Sequence, residues 1–400
     1  MHQNYLKIIE ILFWIFIIII FYTYIIYPII LFILNKFKKL FTKNKNKIKY
    51  SPYIPEVTIV ILAYNEEKFI DKKVKNCLEL IYPTDKLKIL WVTDGSNDNT
   101  NNLLINKYKQ RVLYEPERKG KVNAMNRSIN YIDSPIIVFT DANTELNKTA
   151  IIKIVEQYNN DSTTGCVAGE KRILVEEIET ASAAGEGIYW KYESLIKKFE
   201  SELGSTIAAA GELFSIKKDL YTNIPDDTIL DDFVLSLNVI KKGYKIKYTP
   251  DAYSYEKGSE TIVDEFKRKS RIAAGSFQTL FRMPELLNFF KYGFISIEYI
   301  SHKVLRWTLV PLSFPIILIC NIFIVVFFYK PIFYYLLFLQ IVFYILCIIG
   351  FLFKNKKIKF KLLFVPFYIL MMNYAMYIGF YKFIKKKQTV LWEKVNRKEL

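Results

Sequence analysis

Cysteine and histidine are scarce in this chain, which has four cysteines and two histidines among 400 residues. The cysteines lie far apart in the sequence, and two of them fall inside long apolar runs. This spacing argues against a disulfide framework and against a zinc site, and it indicates a reducing compartment. A histidine without a neighbouring partner, such as His302, is typical of a structural role, so no role in catalysis is assigned to it.

Acidic residues are outnumbered, with 39 Asp and Glu against 56 Lys and Arg and a formal net charge of +17. Such a balance fits nucleic acid, anionic lipid or a merely lysine-rich composition. No nucleic-acid motif or aromatic-interleaved basic patch accompanies the charge, so no nucleic-acid partner is expected. Lysines instead cluster after one apolar run, in 36–49, and between two others, in 354–361. This arrangement is typical of positively charged loops on the cytoplasmic side of a membrane.

Charged residues are absent from Ile11 to Leu34. A helix of that length reaches roughly 36 Å, enough to cross a hydrocarbon core of about 30 Å. A cleaved signal peptide is the alternative, but its apolar core would be about 7 to 15 residues long and would end at a small-residue site that this sequence lacks. Three more uncharged runs, Thr308 to Tyr329, Pro331 to Phe353 and Leu362 to Tyr381, predict a C-terminal membrane bundle. We therefore expect an integral protein of the cell membrane.

Two features near the C-terminus allow more than one interpretation. Three full spans would place Lys385 to Lys387 outside the cell, against the positive-inside tendency, so two or three spans remain open. The stretch from Leu286 to Trp307 mixes aromatic residues with lysine and arginine. That pattern fits a helix in the headgroup region or an ordinary amphipathic surface helix.

The middle of the chain alternates short aliphatic runs with stretches of helical spacing. The runs Val57 to Leu62, Ile89 to Thr93 and Ile136 to Thr140 predict buried strands. Strands that alternate with helices favour a mostly parallel sheet with helices on its faces, and such sheets bind ligands at the carboxyl ends of their strands. An α/β fold is predicted, with its ligand site at that edge.

Polar clusters follow each of these strands: Ala63 to Glu66, Asp94 to Ser96, and Asp141 to Asn143. Taken singly, Asp94 fits a simple turn and Asp141 fits a helix cap. Their recurrence at successive strand ends of one sheet favours a shared site.

The residue types suit the transfer of a sugar from a nucleotide diphosphate. The departing diphosphate carries negative charge that a hard divalent cation neutralises, and Asp141 is a natural ligand for such a cation. The acceptor hydroxyl needs a base, for which Asp231 and Asp232 are candidates. An acidic helix start that stabilises the helix dipole is the alternative for this pair.

In combination these motifs resemble the family 2 glycosyltransferases, inverting enzymes with a GT-A nucleotide-sugar fold. The resemblance is carried by Val57 to Glu67, Val92 to Thr100, Arg118 to Asn126, Thr140 to Asn143, and Leu230 to Asp232. It implies a GT-A type, mostly parallel sheet flanked by helices, with transmembrane helices at both ends. The domains expected are an N-terminal transmembrane helix (1–35), a basic cytoplasmic linker (36–55), the GT-A domain (56–284), an interfacial helix (285–307), a transmembrane bundle (308–384) and a basic tail (385–400).

The resemblance also implies roles for individual residues. The nucleotide-sugar site would comprise Ala63, Asn65, Glu66, Asp94, Lys121 and Asp141. Asp232 would be the catalytic base, with Asp231 in place of the usual glutamate, and Gly211 and Glu212 would line the acceptor side. Asp141 and Asn143 would hold Mg²⁺ or Mn²⁺, although the strict family motif has a second carboxylate where this chain has Asn143.

The family's Gln-x-x-Arg-Trp motif, linked to processive synthesis, is altered here. The corresponding stretch reads Arg268-Lys269-Ser270-Arg271-Ile272, without Gln and Trp. Arg268 and Arg271 are expected to contact the diphosphate or the acceptor. A later Arg306-Trp307 pair keeps part of the motif, but tryptophan near a membrane is common for interfacial reasons alone.

The sequence therefore predicts a membrane-anchored, metal-dependent inverting glycosyltransferase with a cytoplasmic active site. Its donor would be a nucleotide-diphosphate sugar, with a UDP-sugar expected first. Its acceptor would be lipid-linked or a saccharide at the lipid bilayer. A processive polysaccharide synthase and a non-catalytic membrane scaffold that binds nucleotides are the alternatives.

Overall fold

The computed structural model describes residues 2–41, 53–174, 181–258, 261–353 and 364–389. Parts of the predicted basic linker and basic tail, and the lysines of 354–361, lie outside these ranges. The chain divides into two compact units. A sheet unit comprises the described residues of Asn35–Val175, Gly187–Gly258 and Thr389–Leu400, and a helical unit comprises those of Met1–Leu34, Glu176–Glu186 and Ser259–Gln388.

In the described parts of the chain, eight strands form one sheet. They are β1 (Val57–Ala63), β2 (Leu87–Asp94), β3 (Val112–Glu115), β4 (Ile136–Asp141), β5 (Glu145–Leu146), β6 (Thr164–Leu174), β7 (Leu213–Lys217) and β8 (Lys245–Lys257).

The α-helices, in chain order, are α1 (His2–Phe21), α2 (Tyr27–Phe41), α3 (Glu67–Leu78), α4 (Thr100–Asn102), α5 (Lys121–Ser128), α6 (Ala150–Asn160), α7 (Ala181–Leu203), α8 (Asp231–Lys241), α9 (Ile262–Arg282), α10 (Phe289–Tyr292), α11 (Phe294–Glu298), α12 (Leu305–Trp307), α13 (Leu309–Phe328), α14 (Pro331–Leu352) and α15 (Val365–Ile384). The described ranges also contain π-helical segments at Tyr22–Ile26, Leu103–Lys107 and Tyr299–Val304, and 3₁₀ turns at Ile129–Tyr131, Lys218–Leu220 and Pro284–Leu287.

The sheet has the strand order β3-β2-β1-β4-β7-β6-β8-β5. Neighbouring strands from β3 to β4 are parallel, β7 runs antiparallel to both of its neighbours, and β6 pairs with β8 in parallel. The predicted α/β fold with a mostly parallel sheet is thus confirmed. All seven residues of β1 are buried, as expected of a central strand covered on both faces.

Strand register sets the position of the polar clusters. Ala63 pairs with Thr93, and Leu62 pairs with Asp141. Because β1, β2 and β4 are adjacent and parallel, their carboxyl ends reach the same edge of the sheet. Asp94 and Asp141 consequently end their strands on either side of β1 at that edge.

The helical unit contains the apolar segments. Among the residues that the structure describes, three helices are long and apolar enough to cross a membrane: Asn4–Phe41, Leu309–Phe328 and Pro331–Leu352. Phe13 and Phe333 pack edge to face with ring centroids 5.1 Å apart, inside a cluster that also contains Ile317, Cys320 and Ile324. Aromatic and aliphatic packing therefore joins α1, α13 and α14.

The predicted interfacial helix is not continuous. Asn288 caps a new helix by accepting hydrogen bonds from the N–H groups of Phe290 and Lys291, and Gly293 adopts a positive φ of 56°. These two residues break the segment into short helical pieces. Phe290 is almost fully exposed, whereas Tyr299 and Trp307 are buried. The sequence pattern missed the breaks because the helical spacing resumes after each of them.

Gly95 and Gly243 both have a positive φ, but they differ in the space that is available for a side chain. A Cβ at Gly95, where φ is +67°, would lie 2.7 Å from the backbone nitrogen of Arg118, whereas a Cβ at Gly243, where φ is +83°, would have no atom within 4 Å. We expect Gly243→Ala to cost about 1 kcal/mol of stability from strain alone. Gly95→Ala should cost a further 1 to 3 kcal/mol, roughly, from overpacking. Thermal unfolding of both variants in detergent measures the difference, and equal losses would contradict this account.

Candidate active site

The loop after β2 is fixed to the loop before α5 through Asp94. Its Oδ2 accepts a hydrogen bond of 2.7 Å from the N–H of Gly120, and its Oδ1 accepts one of 3.1 Å from the N–H of Lys119. Asp94 is 6% exposed. The buried carboxylate is thus neutralised in part by two backbone dipoles, which orient the start of α5.

The loop after β1 is joined to the same region through Asn65. This residue has a φ of 55°, a conformation that asparagine tolerates better than most residues. Its side-chain amide donates to Asn97 Oδ1 at 2.8 Å, and its Oδ1 accepts from the N–H of Asn97 at 2.9 Å. The N–H of Glu66 donates to Thr100 Oγ1 at 2.9 Å. The loops after β1 and β2 therefore form one cross-linked surface at the edge of the sheet.

Lys121, at the start of α5, draws carboxylates from two other elements together. Its Nζ lies 2.9 Å from Asp141 Oδ1 and 3.6 Å from Asp231 Oδ2. A Cβ at Gly211 would lie 3.5 Å from both Lys121 Nζ and Asp232 Oδ2. The end of β4, the start of α8 and the loop before β7 consequently meet around one ammonium group.

Charge in this cluster shifts two pKa values. Burial alone lowers the pKa of Lys121, but the negative charges of Asp141, Asp231 and Asp232 outweigh burial and raise it above its usual range, so the ammonium stays charged. Burial, followed by the charge of Asp231, raises the pKa of Asp232 to about 7, although Lys121 opposes this effect. Asp232 is therefore a carboxylate that exchanges a proton near neutral pH.

Asp141 and Asn143 suit a divalent cation whose other ligands come from substrate and water. Asp141 offers a carboxylate whose side chain is 27% exposed, and Asn143 lies two residues further on and is half-buried. Among the residues that the structure describes, no cluster of three or more His, Cys, Asp or Glu side chains could hold a metal alone. Mg²⁺ is commonly bound by one or two carboxylates together with substrate phosphates and water, so one carboxylate and one amide suit that mode.

Some buried charged residues near the site lie in no motif that sequence reasoning would detect, namely Lys73, Lys171 and Glu256. Lys73 is buried under the loop after β4 and donates to Thr144 O at 2.7 Å, and burial lowers its pKa to about 8. Lys171 on β6 forms ion pairs with Glu212 and with Glu256 on β8. Lysine and glutamate are so common in this chain that only their burial distinguishes these residues.

Arg268 and Arg271 lie on α9 in the helical unit. The Arg268 guanidinium bonds Glu186 and Glu265, and Glu265 also accepts a hydrogen bond of 3.0 Å from the hydroxyl of Tyr368. The described contacts of Arg268 are therefore with carboxylates of its own unit. A contact of either arginine with diphosphate or acceptor stays a prediction.

A family model matches part of the chain. Residues 58–218 match the model described as glycosyl transferase family 2. The chain also aligns with poly-β-1,6-N-acetyl-D-glucosamine synthases of Staphylococcus aureus, which are 28% identical over 235 residues, covering 56% of this chain and 56% of the relative. The chain thus spans about half the length of the curated relatives it matches.

The GT-A fold of the chain is shared with a solved structure. A mannosyltransferase from Pyrobaculum calidifontis, solved in complex with GDP-Man and Mn²⁺, superposes with a TM-score of 0.68 at 19% identity. The alignment covers 94% of this chain and 99% of that one. At this identity the likeness establishes the fold, and the predicted GT-A architecture with apolar terminal helices is confirmed.

Removing the ammonium at the centre of the cluster tests its role. Lys121→Met leaves buried carboxylates uncompensated, so we expect a loss of about 3 kcal/mol in stability. Lys119→Met is the matched control, because its ammonium lies 3.5 Å from Glu115 on the surface and should contribute less than about 0.5 kcal/mol. Thermal unfolding at pH 7.5 measures both variants, and similar losses would refute the central position of Lys121.

Proposed function

We propose that the protein is a membrane-anchored inverting glycosyltransferase that moves a sugar from a nucleotide-diphosphate sugar to a hydroxyl of a lipid-linked or saccharide acceptor at the cytoplasmic face. The observation that carries the proposal is the arrangement of Asp232 beside Lys121 and Asp141. The family 2 match over residues 58–218, which include Lys121 and Asp141, supports it. A UDP-sugar is the donor we expect first.

In this proposal Asp232 is the general base. Its raised pKa suits that role, because a carboxylate titrating near pH 7 holds a transferred proton far better than an ordinary aspartate does. Asp232 accepts the proton of the acceptor hydroxyl as the hydroxyl oxygen attacks the anomeric carbon. The bond from that carbon to the diphosphate breaks, and one displacement inverts the configuration.

The leaving diphosphate needs positive charge. Lys121 stays charged and lies 2.9 Å from Asp141, so it can stabilise negative charge developing near the end of β4. Asp141 and Asn143 would hold a divalent cation, which when bound supplies further charge neutralisation for the departing nucleoside diphosphate. Asp94 orients the loop that begins α5 and thereby positions Lys121.

A lipid-linked acceptor is supported by a cavity in the helical unit. The cavity has a volume of about 840 Å³ and is lined mainly by apolar residues of α9, α13, α14 and α15. Pro315 lacks the N–H that would bond the carbonyl of Pro311, and the hydroxyl of Tyr377 bonds that carbonyl at 2.8 Å instead. The hydroxyl of Tyr344 bonds the carbonyl of Phe314 at 3.3 Å. With these hydroxyls engaged, the lining suits a hydrocarbon chain.

A processive polysaccharide synthase is the second candidate. It is favoured by the similarity of the chain, over 235 residues, to synthases of poly-β-1,6-N-acetyl-D-glucosamine. The altered Arg268 motif favours single transfer instead. The chain length of the product in the assay below distinguishes the two candidates.

Replacing the proposed base tests the mechanism. Asp232→Asn keeps the shape of the side chain but cannot accept the proton, so transfer should fall by at least roughly 10²-fold while nucleotide binding persists. Purified protein in detergent is supplied with a panel of UDP- and GDP-sugars, a glycolipid acceptor and Mn²⁺, and product formation is measured. Asp219→Asn, at an exposed position, is the matched control.

The same assay gives the pH dependence of the wild-type protein. Because Asp232 must be ionised to act, kcat/KM should rise with pH and level off above about 7. Near-normal transfer by Asp232→Asn, or an acid limb near pH 4, would exclude Asp232 as the base.

Asn143 provides a test of the metal site. Asn143→Asp supplies the second carboxylate of the strict family motif, so we expect Mn²⁺ to bind several-fold more tightly, because added ligand charge increases cation affinity. Mn²⁺ binding is measured by electron paramagnetic resonance without substrate, alongside the metal dependence of transfer. Asn106→Asp adds the same charge at an exposed helical position and should leave affinity unchanged. Unchanged affinity in Asn143→Asp would place the metal elsewhere.

A further inference from the structure

A buried ionic cluster lies behind the acceptor side of the proposed active site. The Lys171 side chain is fully buried, and its Nζ lies 2.5 Å from Glu212 Oε1 and also contacts Glu256 Oε2. Glu256 is 2% exposed, and the Lys171 Nζ lies 5.1 Å from the ring centroid of Trp190 on α7. The cluster thus links β6, β8, α7 and the loop before β7.

This cluster is not explained by stability alone. Burying the charges of Lys171 and Glu256 costs several kcal/mol per ion, and well-packed apolar residues of similar volume often stabilise a fold as well or better. Two carboxylates, those of Glu212 and Glu256, contact the one Lys171 ammonium. Buried charges act on any neighbouring group that titrates.

The neighbouring titratable group is Asp232. Glu212 follows Gly211, where a Cβ would lie only 3.5 Å from Asp232 Oδ2. The hydroxyl of Thr140 donates to the backbone carbonyl of Glu212 at 2.9 Å, which fixes the loop against β4. The negative charge of Glu212 contributes to the raised pKa of Asp232.

Other charged or titratable groups also face Asp232. Asp231 lies beside it on α8 and raises its pKa, Lys121 on α5 lowers it, and the Cys166 thiol on β6 interacts with it. Lys197 on α7 lies 5.8 Å from the Trp190 ring centroid. Glu212 connects Asp232 to the ionic cluster, because its carboxylate is bound directly to Lys171.

We propose that Lys171 and Glu256 are positioning residues that hold the Glu212 carboxylate beside Asp232 and set how much negative charge the proposed base experiences. The proposal rests on the proposed function, because it concerns the ionisation of Asp232 during transfer. The positive charge of Lys171 offsets part of the effect of the Glu212 charge on Asp232. The negative charge of Glu256 in turn offsets part of the effect of Lys171. The pair therefore adjusts the pH range in which the acceptor hydroxyl is activated.

Two substitutions change the charge of the cluster in opposite directions. Lys171→Met removes one positive charge, so the acid limb of kcat/KM should move to higher pH, by roughly one pH unit, which is the effect of a unit charge acting over roughly 10 Å at an effective dielectric constant near 20. Glu256→Gln removes one negative charge, so the limb should move to lower pH. Lys171→Arg keeps the charge and should leave the limb where it is in the wild type.

The experiment compares the pH dependence of kcat/KM for the full-length wild type and the three variants, with the donor that the wild type uses best. Lys107→Met, at an ion pair on the surface with Asp71, is the matched control for loss of a lysine charge. A merely structural role predicts lower activity at every pH without displacement of the limb. Unmoved limbs, or limbs displaced in the same direction in Lys171→Met and Glu256→Gln, would overturn the proposal.

Glu256→Gln leaves the ion pair between Lys171 and Glu212 intact, so it decides the question alone if Lys171→Met does not fold. An unmoved limb in a folded Glu256→Gln variant overturns the proposal, and thermal unfolding establishes that the variant is folded. Absence of transfer by the wild type would defeat the proposed function itself. Transfer by the wild type with unmoved limbs in the variants would defeat only the role of Lys171 and Glu256.

Discussion

The attraction between the Lys121 ammonium and the surrounding carboxylates is the interaction on which the site depends. Asp141 and Asp231 come from different elements, and both approach the same nitrogen. Without that positive charge, buried carboxylates would repel one another and the loops that carry them would separate. The same charge is available to the proposed leaving diphosphate. One ammonium group thus holds carboxylates of the fold together and is also the proposed partner of the diphosphate.

Sheet topology determines which chain segments can reach this ammonium. Parallel pairing of β1 with both β2 and β4 places Asp94 and Asp141 at one edge, and the antiparallel β7 brings Gly211 and Glu212 to the end of β4. Asp94 then binds two backbone N–H groups at the start of α5. The position of Lys121 consequently follows from backbone hydrogen bonds as well as from its own charge.

The helical unit obeys a different constraint. Its helices α1, α13 and α14 are apolar along most of their length, and their backbone groups must be satisfied internally if they lie in lipid. The bond from the Tyr377 hydroxyl to the carbonyl left free by Pro315 meets that requirement. Stabilisation therefore comes from packing and from a few internal polar contacts, such as the ion pair of 2.6 Å between Lys330 and Glu10.

Local sequence patterns determined much of this protein. Strands β1, β2 and β4, the apolar helices and the loops that carry Asp94 and Asp141 follow from aliphatic runs and turn residues, because these signals act over a few neighbouring residues. The breaks at Asn288 and Gly293 escaped prediction, since helical spacing continues on both sides. Lys73, Lys171 and Glu256 escaped it too, because a lysine or glutamate becomes significant only when distant strands enclose it. Tertiary structure alone decided which carboxylates share an ammonium. The strength of that interaction depends on distance and burial, and the number of residues between two groups in the sequence specifies neither.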